Sequence, residues 1–425
     1  MVAITPTAAP SPSGHPLASL VAFTVAIICA WALVLALLPA IAHAGVDNDL
    51  GLERYVVDGL PAHASQATPD EREKRKGLPF AVLPQFGYGP DTGGKVGVKF
   101  EGRDLFGGNT FADVNVVYAQ HEQAKGTFTV GDNHFLDDFM YYATAHYFRD
   151  PSKEYFGLGN NEVGSEELAD YDIKRARIGG TFAYRVLERV AITVSAMYRE
   201  TDVDPAKNTR DRPNLQRFTP TLPGVHGAES NYVGIAIVYN ARDEVVRPTR
   251  GWELVAKYLS ADKALFNRDT DYSKFILDAS YTMPLIWRRQ VLAVRGNTEV
   301  MFGHLRDIPF FELSSLGGDD TMRGYFPERF LGKGRVLFNA EYRLKLLDFN
   351  LRKLWDITID GVAFGDAGRV YNDGDDFLHH FADHMRYSYG GGTRIGFSSG
   401  LVARIDVGFS DEEKGLVYLT FGHTF

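Results

Sequence analysis

Residues 315–346 read SLGGDDTMRGYFPERFLGKGRVLFNAEYRLKL and join two patterns that seldom stand side by side. The first half is a Gly-, Asp- and Arg-rich loop with Met322, Tyr325 and Phe326 set into it. From Gly334 onward the pattern has period two. Arg335, Leu337, Asn339, Glu341, Arg343 and Lys345 share one face, while Val336, Phe338, Ala340, Tyr342, Leu344 and Leu346 share the other. Successive side chains of a strand point to opposite sides, so this is a strand with one polar and one apolar face. A transmembrane β-barrel, with a polar lumen and a lipid-facing wall, requires that division.

The same period extends in both directions from this stretch. Arg404 and Asp406 fall on the inner face of their strand, opposite Ala403, Ile405, Val407 and Phe409. The terminal stretch LVYLTFGHTF (416–425) aligns Val417, Leu419, Phe421, His423 and Phe425. From Pro79 to Phe425 about sixteen such segments occur, near 80–88, 95–103, 110–119, 125–134, 138–149, 170–186, 188–201, 229–240, 250–260, 273–286, 290–304, 334–346, 357–371, 386–397, 401–410 and 416–425. Most approach the roughly 9–11 residues that a tilted strand needs to cross a bilayer.

The connections alternate in length. Even-to-odd turns are mostly short (DLFGGN, DNHFLD, VLE, IWRRQ, SSG), whereas the odd-to-even connections 150–168, 202–228, 261–272, 305–333 and 372–385 are long. Outer-membrane barrels have short periplasmic turns and longer outer loops. The expected fold is therefore all-β: a 16-stranded antiparallel transmembrane barrel of the outer-membrane type, with both termini at the periplasm. A soluble β-sandwich is the alternative. Its chain rarely stays in one sheet for sixteen segments, and it has no use for an export signal with a terminal aromatic strand.

Composition agrees. In 425 residues there are 43 Gly, 29 Phe and 21 Tyr, and the mean hydropathy is slightly negative, too polar for a helical membrane bundle. Leu17 to Ile41 is almost wholly apolar and runs into AIAHAG, an A-x-A site that predicts a signal peptide over 1–44. No Lys or Arg precedes the run, and it is long enough to span a bilayer, so an uncleaved anchor is the competing reading. The single cysteine, Cys29, lies in this segment; cleavage would leave a chain without disulfides. Residues 1–44 carry no charged side chain, so the net charge of −9 belongs to the remainder, and a basic nucleic-acid surface is not expected. Residues 45–78 read as a periplasmic linker too short for a folded domain, leaving 79–425 as the barrel.

The opening stretch also resembles the signature of the BamA/TamA-type barrels, the bacterial surface antigen family. In that family an Arg-Gly-aromatic tripeptide tips a long outer loop folded back into the lumen; Arg323, Gly324 and Tyr325 match it. YNARDEVVRPTRGWEL (239–254) is similar to the family's periplasmic turn, through Asp243, Pro248, Thr249 and Gly251. GVAFGDAGRVY (361–371) is similar to its Phe-x-Asp-x-Gly strand, through Phe364, Asp366 and Gly368. An arginine in a confined lumen is costly unless paired, so Arg323 is expected to meet Asp366 with Glu341 close by, beside Phe364, while Gly324 allows the backbone to reverse. The terminal-strand signal falls on Phe421, Gly422 and Phe425. Pro84 and Gly87 in the first strand would weaken its pairing with the last.

The resemblance implies outer-membrane localisation and a role in inserting or translocating polypeptide, with lipid as a second cargo, through an opening seam. The expected partners are outer-membrane lipids and unfolded outer-membrane or secreted clients, with no nucleic acid. The family's insertases carry periplasmic POTRA domains, and 45–78 cannot hold one, so a POTRA-less relative is expected. A passive channel or porin, and a surface adhesion or structural protein, are the alternatives. Neither an enzyme nor a cofactor is expected. His380 and His384 have metal-ligand spacing but lack the glutamate of HExxH; YGGGTRIG (389–396) lacks the following helix that a phosphate cradle needs.

Overall fold

The computed structural model describes residues 80–105, 110–136, 138–160, 168–206, 213–244, 247–286, 289–351, 355–374, 383–397 and 402–421. The expected signal peptide and linker, His380, Gly422 and Phe425 lie outside the described residues.

Eleven strands lead up to the inward loop: β1 (Phe80–Gly89), β2 (Gly93–Leu105), β3 (Thr110–Ala119), β4 (Ala124–Leu136), β5 (Phe139–Tyr155), β6 (Ala169–Leu187), β7 (Val190–Pro205), β8 (Ala228–Asn240), β9 (Gly251–Ala261), β10 (Tyr272–Pro284) and β11 (Gln290–Phe302). Two three-residue strands, β12 (Ser314–Leu316) and β13 (Phe330–Gly332), pair with each other inside that loop. Then follow β14 (Gly334–Leu351), β15 (Trp355–Tyr371), β16 (Arg386–Phe397), β17 (Val402–Phe409) and β18 (Leu416–Phe421). All but β12 and β13 form one closed antiparallel barrel of sixteen strands, in which β11 pairs directly with β14 and β1 with β18.

The period-two code explains the wall. Along β8 the residues Ser230, Tyr232, Gly234, Ala236 and Val238 face inward and are buried, while Val233, Ile235 and Ile237 project outward. Outward-facing Ile178, Phe182, Val194, Trp252 and Tyr258 continue an apolar exterior that would be untenable in water but suits lipid. Trp252 stacks on Tyr281 at 4.1 Å, an aromatic pair of the kind that marks the membrane interface.

Two features exceed the sequence pattern. β5 and β7 run on past the segments expected for them, to Tyr155 and Pro205, and bound an apolar cluster on the loop side. There Tyr155, Tyr171, Val203, Tyr232, Tyr272 and Phe310 pack together with Leu215 of the short helix α1 (Leu215–Phe218). The seam is the second. β1 is in register with β2 from Phe80–Gly102 to Gly89–Gly93, yet with β18 the only Cα-paired position among the described residues is Tyr88–Leu419.

Candidate functional site

The loop between β11 and β14 turns into the lumen and is fastened there by charge. Arg323 is fully buried. Its Nε and Nη2 donate to the two carboxylate oxygens of Asp366 at 2.9 and 2.8 Å, and its Nη1 donates to Glu341 Oε1 at 2.5 Å. The backbone N–H of Arg323 donates to Asp366 as well, at 3.1 Å. The guanidinium lies 3.5 Å above the ring centre of Phe364, so a cation–π contact closes its remaining face. Burial works against the charge, but Asp366 and then Glu341 more than offset it and hold the guanidinium above its ordinary pKa.

The parity of β14 and β15 positions these partners. Asn339 and Asp366 are directly opposed in register, as are Glu341 and Phe364, all on the inner face. Asn339 Nδ2 donates to Asp366 Oδ1 at 2.8 Å and to the Thr321 carbonyl at 2.7 Å, so one amide ties both the carboxylate and the loop to the wall.

The sequence reading placed Arg343, Arg404 and Asp406 on the inner face but did not join them, or Arg394 and Asp319, to this cluster. Glu341 also accepts from Arg343 at 2.9 Å and Arg394 at 2.9 Å. Arg394 in turn reaches Asp406 at 2.6 Å, and Asp406 stands 3.6 Å from Arg323. Arg404 holds Asp319 of the loop and Thr420 of β18, the latter at 2.7 Å. Arg323, Arg343, Arg394 and Arg404 thus face Asp366, Glu341, Asp406, Asp319 and Asp320, so that every guanidinium meets a carboxylate. Parity alone marked these wall residues as inward; their convergence on one point depends on barrel curvature and stagger, which no local pattern encodes.

Gly324 has φ +101°, and a Cβ there would come within 2.8 Å of the Phe409 carbonyl oxygen. Only glycine permits the loop to lie this close to β17. Its N–H donates to the Tyr418 hydroxyl at 3.3 Å, its carbonyl accepts from Ser410 Oγ at 2.7 Å, and Tyr418 donates to the Tyr325 carbonyl at 3.0 Å. Tyr325 is buried edge-on against Phe330, with its hydroxyl on Asp411 at 2.5 Å. Burial first, and that bond second, push the phenol above its usual pKa. Burial would raise Asp411 too, but the bond from Tyr325 and the charge of Arg386 hold its carboxyl below the aspartate range.

Further anchors surround the loop. Arg199 pairs with Glu312 at 2.5 Å, Arg335 donates to the Ser315 carbonyl at 2.6 Å, and Arg329 is bidentate on Glu412 at 2.6 and 2.7 Å. At the opposite end of the barrel, Asp243 organises the β8–β9 turn by accepting from the N–H groups of Glu244, Thr249 and Arg250 at 3.0, 2.9 and 3.1 Å and from Thr249 Oγ1 at 2.5 Å. Burial opposes the Asp243 charge, yet these bonds hold its pKa below the ordinary value. Pro248 is buried in the turn, and Gly251, at φ +119°, has no space for a Cβ against the Ala241 carbonyl. Arg247 extends from the turn to Asp360 of β15 at 3.1 Å. The motif residues therefore occupy two separate places, at the plug and at this turn. Phe421 ends the described part of β18, opposite Ala403. Among the described residues no group of His, Cys, Asp and Glu could hold a metal.

A closed sixteen-stranded wall with an apolar exterior, and a lumen occupied by an arginine-locked loop, define an outer-membrane barrel of the plugged type. A model of the Omp85 superfamily domain matches residues 104–425, and the chain belongs to that superfamily. Among solved structures it is similar to BamA from Haemophilus ducreyi lacking POTRA domains 1–3, at 15% identity and a TM-score of 0.57, with 81% of this chain and 70% of that one covered. It is likewise similar to CdiB from Escherichia coli, at 12% identity and a TM-score of 0.55, where 81% of this chain spans 63% of the other. At these identities the likeness is one of fold. The protein is an outer-membrane Omp85 barrel.

Proposed function

We propose that this barrel assists the insertion or translocation of polypeptide at the outer membrane by parting its β1–β18 seam, with no bond chemistry of its own. The observation that carries this reading is the make-up of β1 at that seam, where Tyr88 pairs with Leu419. A ladder hydrogen bond is worth about 0.5–1.5 kcal/mol net, so parting two strands paired along their whole length, as β1 and β2 are, is prohibitive. Two positions of β1 lower that cost at its β18 edge. Pro84 has no N–H to offer, and Gly87 presents no side chain to pack across the gap. Meanwhile the plug fills the middle of the lumen with buried ion pairs, which counts against a steadily open channel.

The test is a reversible lock. Tyr88→Cys combined with Leu419→Cys places two thiols at paired positions, in a chain whose only native cysteine is Cys29. Oxidation should block the outer-membrane changes that depletion of the protein produces, and reduction should restore the wild-type profile. Comparing outer-membrane protein and lipid profiles separates a polypeptide cargo from a lipid one. Depletion that leaves both profiles unchanged, or a locked barrel that works as well as the reduced one, refutes the proposal.

A further inference from the structure

The turn between β9 and β10 carries a side chain for which the fold itself has no use. Phe266 is 92% exposed and adopts φ +63°, a left-handed angle that a bulky residue rarely takes. Such strain persists only where the surrounding structure over-determines it. The Asp262 carboxylate accepts from the Ala264 N–H at 2.8 Å and from Ser260 Oγ at 2.7 Å, and the Phe266 N–H donates to the Lys263 carbonyl at 3.1 Å. Asn267 stands in for a ladder partner of β8, its Oδ1 accepting from the Asn231 N–H at 2.6 Å and its Nδ2 donating to the Asn231 carbonyl at 2.9 Å. Thr270 Oγ1 closes the turn on the Ala261 carbonyl at 3.0 Å.

Asn231 fixes the side of the wall on which this turn lies. Along β8 Ser230 and Tyr232 are inward and buried, whereas Asn231, Val233, Ile235 and Ile237 face outward. The outward Asn231 amide donates to the Leu265 carbonyl at 3.2 Å, so the turn hangs on the exterior of the barrel rather than over its mouth.

Its depth follows from the neighbouring strands. Asn231 is two residues further out than the lipid-facing Val233, about 7 Å along the strand at 3.3 Å per residue, and it is paired with the outward Tyr198 of β7. At the next outward positions Glu200 faces Glu229, both exposed, and the apolar band ends. Leu265 and Phe266 therefore sit at the upper edge of the lipid-facing wall, where aromatic side chains collect at a membrane interface. Strand β9 is also eight places from β1 in either direction round the barrel, so this edge is the one farthest from the seam.

We infer that Phe266 is an outer-leaflet anchor: its phenyl ring enters the lipid between the headgroups and the upper acyl chains, continuous with the outward Tyr198, Val233 and Tyr258, and fixes the depth of the wall opposite the seam. Its occupant is lipid. A phenyl ring left in water buries none of its apolar area, and the acyl region begins within a side chain's reach. This goes beyond the cargo role, since such an anchor acts in the closed barrel and needs no client.

The full chain with Cys29→Ser, carrying a nitroxide at Phe266→Cys, Val233→Cys or Glu200→Cys, is reconstituted in phosphatidylcholine vesicles. Collisions with oxygen and with a water-soluble nickel chelate are read by electron paramagnetic resonance. The label at 266 should favour oxygen over the chelate, as the label at 233 does, while the label at 200 should favour the chelate. In the wild-type chain, phosphatidylcholine with a photoreactive group in its upper acyl chain should label 262–271, a readout that needs no substitution. Phe266→Asn suits the left-handed angle and keeps the turn, so it should leave the heat-modifiable migration unchanged and lower the labelling of 262–271 about five-fold. A nitroxide at 266 as open to the chelate as that at 200 would leave Phe266 in water, free for a protein partner, and overturns the inference. Absence of photolabel from 262–271, or undiminished labelling of Phe266→Asn, overturns it as well.

Discussion

Replacing Arg323 by alanine tests the lock most directly, and the structure sets how much should be lost. Truncating one partner of a buried ion pair typically costs about 3–5 kcal/mol, because a carboxylate is left buried without its counter-charge. Here the loss falls unevenly. Glu341 would keep Arg343 and Arg394, and Asp406 would keep Arg394. Asp366 would retain only the Asn339 amide and the backbone N–H of residue 323. One stranded carboxylate, rather than three, places the expectation at the lower end, about 3 kcal/mol, or roughly a hundred-fold rise in the population of the released loop. The other anchors, Arg199 on Glu312 and Arg329 on Glu412, act on different parts of the loop, so release should be local and the barrel wall should stay intact. Amide hydrogen exchange of the purified barrel reads this: amides in 316–330 should exchange roughly a hundred-fold faster, while those of β8 to β10 stay unchanged. Adding Asp366→Asn to Arg323→Ala removes the stranded charge and should return about 2 kcal/mol of the loss. Exchange within about three-fold of wild type, or a double variant as open as the single one, would refute the claim that this pairing holds the plug.

The other expectations follow from separate contacts. Gly324→Ala puts a Cβ against the Phe409 carbonyl at a left-handed backbone angle, so it should cost about 2 kcal/mol or more and make the 305–333 loop susceptible to protease, with the heat-modifiable migration of the barrel unchanged. Substituting a short turn for 305–333 should convert a poorly conducting barrel into one with steady conductance in planar bilayers; unaltered conductance would show that the plug does not limit the pore. Asp243→Ala removes four accepted hydrogen bonds from the β8–β9 turn and should lower thermal stability by about 1–2 kcal/mol, with Asp243→Asn intermediate. Because the folded pKa of Asp243 is depressed, its contribution is fully present above the ordinary aspartate range and is lost as pH falls through the depressed value. The wild-type advantage over Asp243→Asn should therefore hold at neutral pH and disappear in strong acid, as thermal melts at a series of pH values would reveal.

Much of this molecule is written in local pattern. A strand crossing a membrane must alternate strictly, since an error of one residue turns a charged side chain into lipid. That is why all sixteen wall strands, the inward rank of Glu341, Asp366 and Arg404, and the long outer loop could be read from period and turn length. The extension of β5 and β7 was not legible, because the rule for bilayer thickness ends where those strands continue into an apolar cluster of loops. The small β12–β13 pair was hidden as well: three-residue strands carry no periodic signal. Sequence also determined that Arg323 would need acidic partners, since the cost of a bare guanidinium in a lumen is a matter of elementary electrostatics. Only the closed tertiary structure decided which ones. Asp406, Arg394 and Tyr418 belong to strands 70 or more positions further along the chain, and they reach the plug because the wall curves round and closes. The same closure brings the first strand beside the last, where Tyr88 pairs with Leu419. Curvature and stagger sum small twists over sixteen strands, and a sum of that kind has no signature in any single segment.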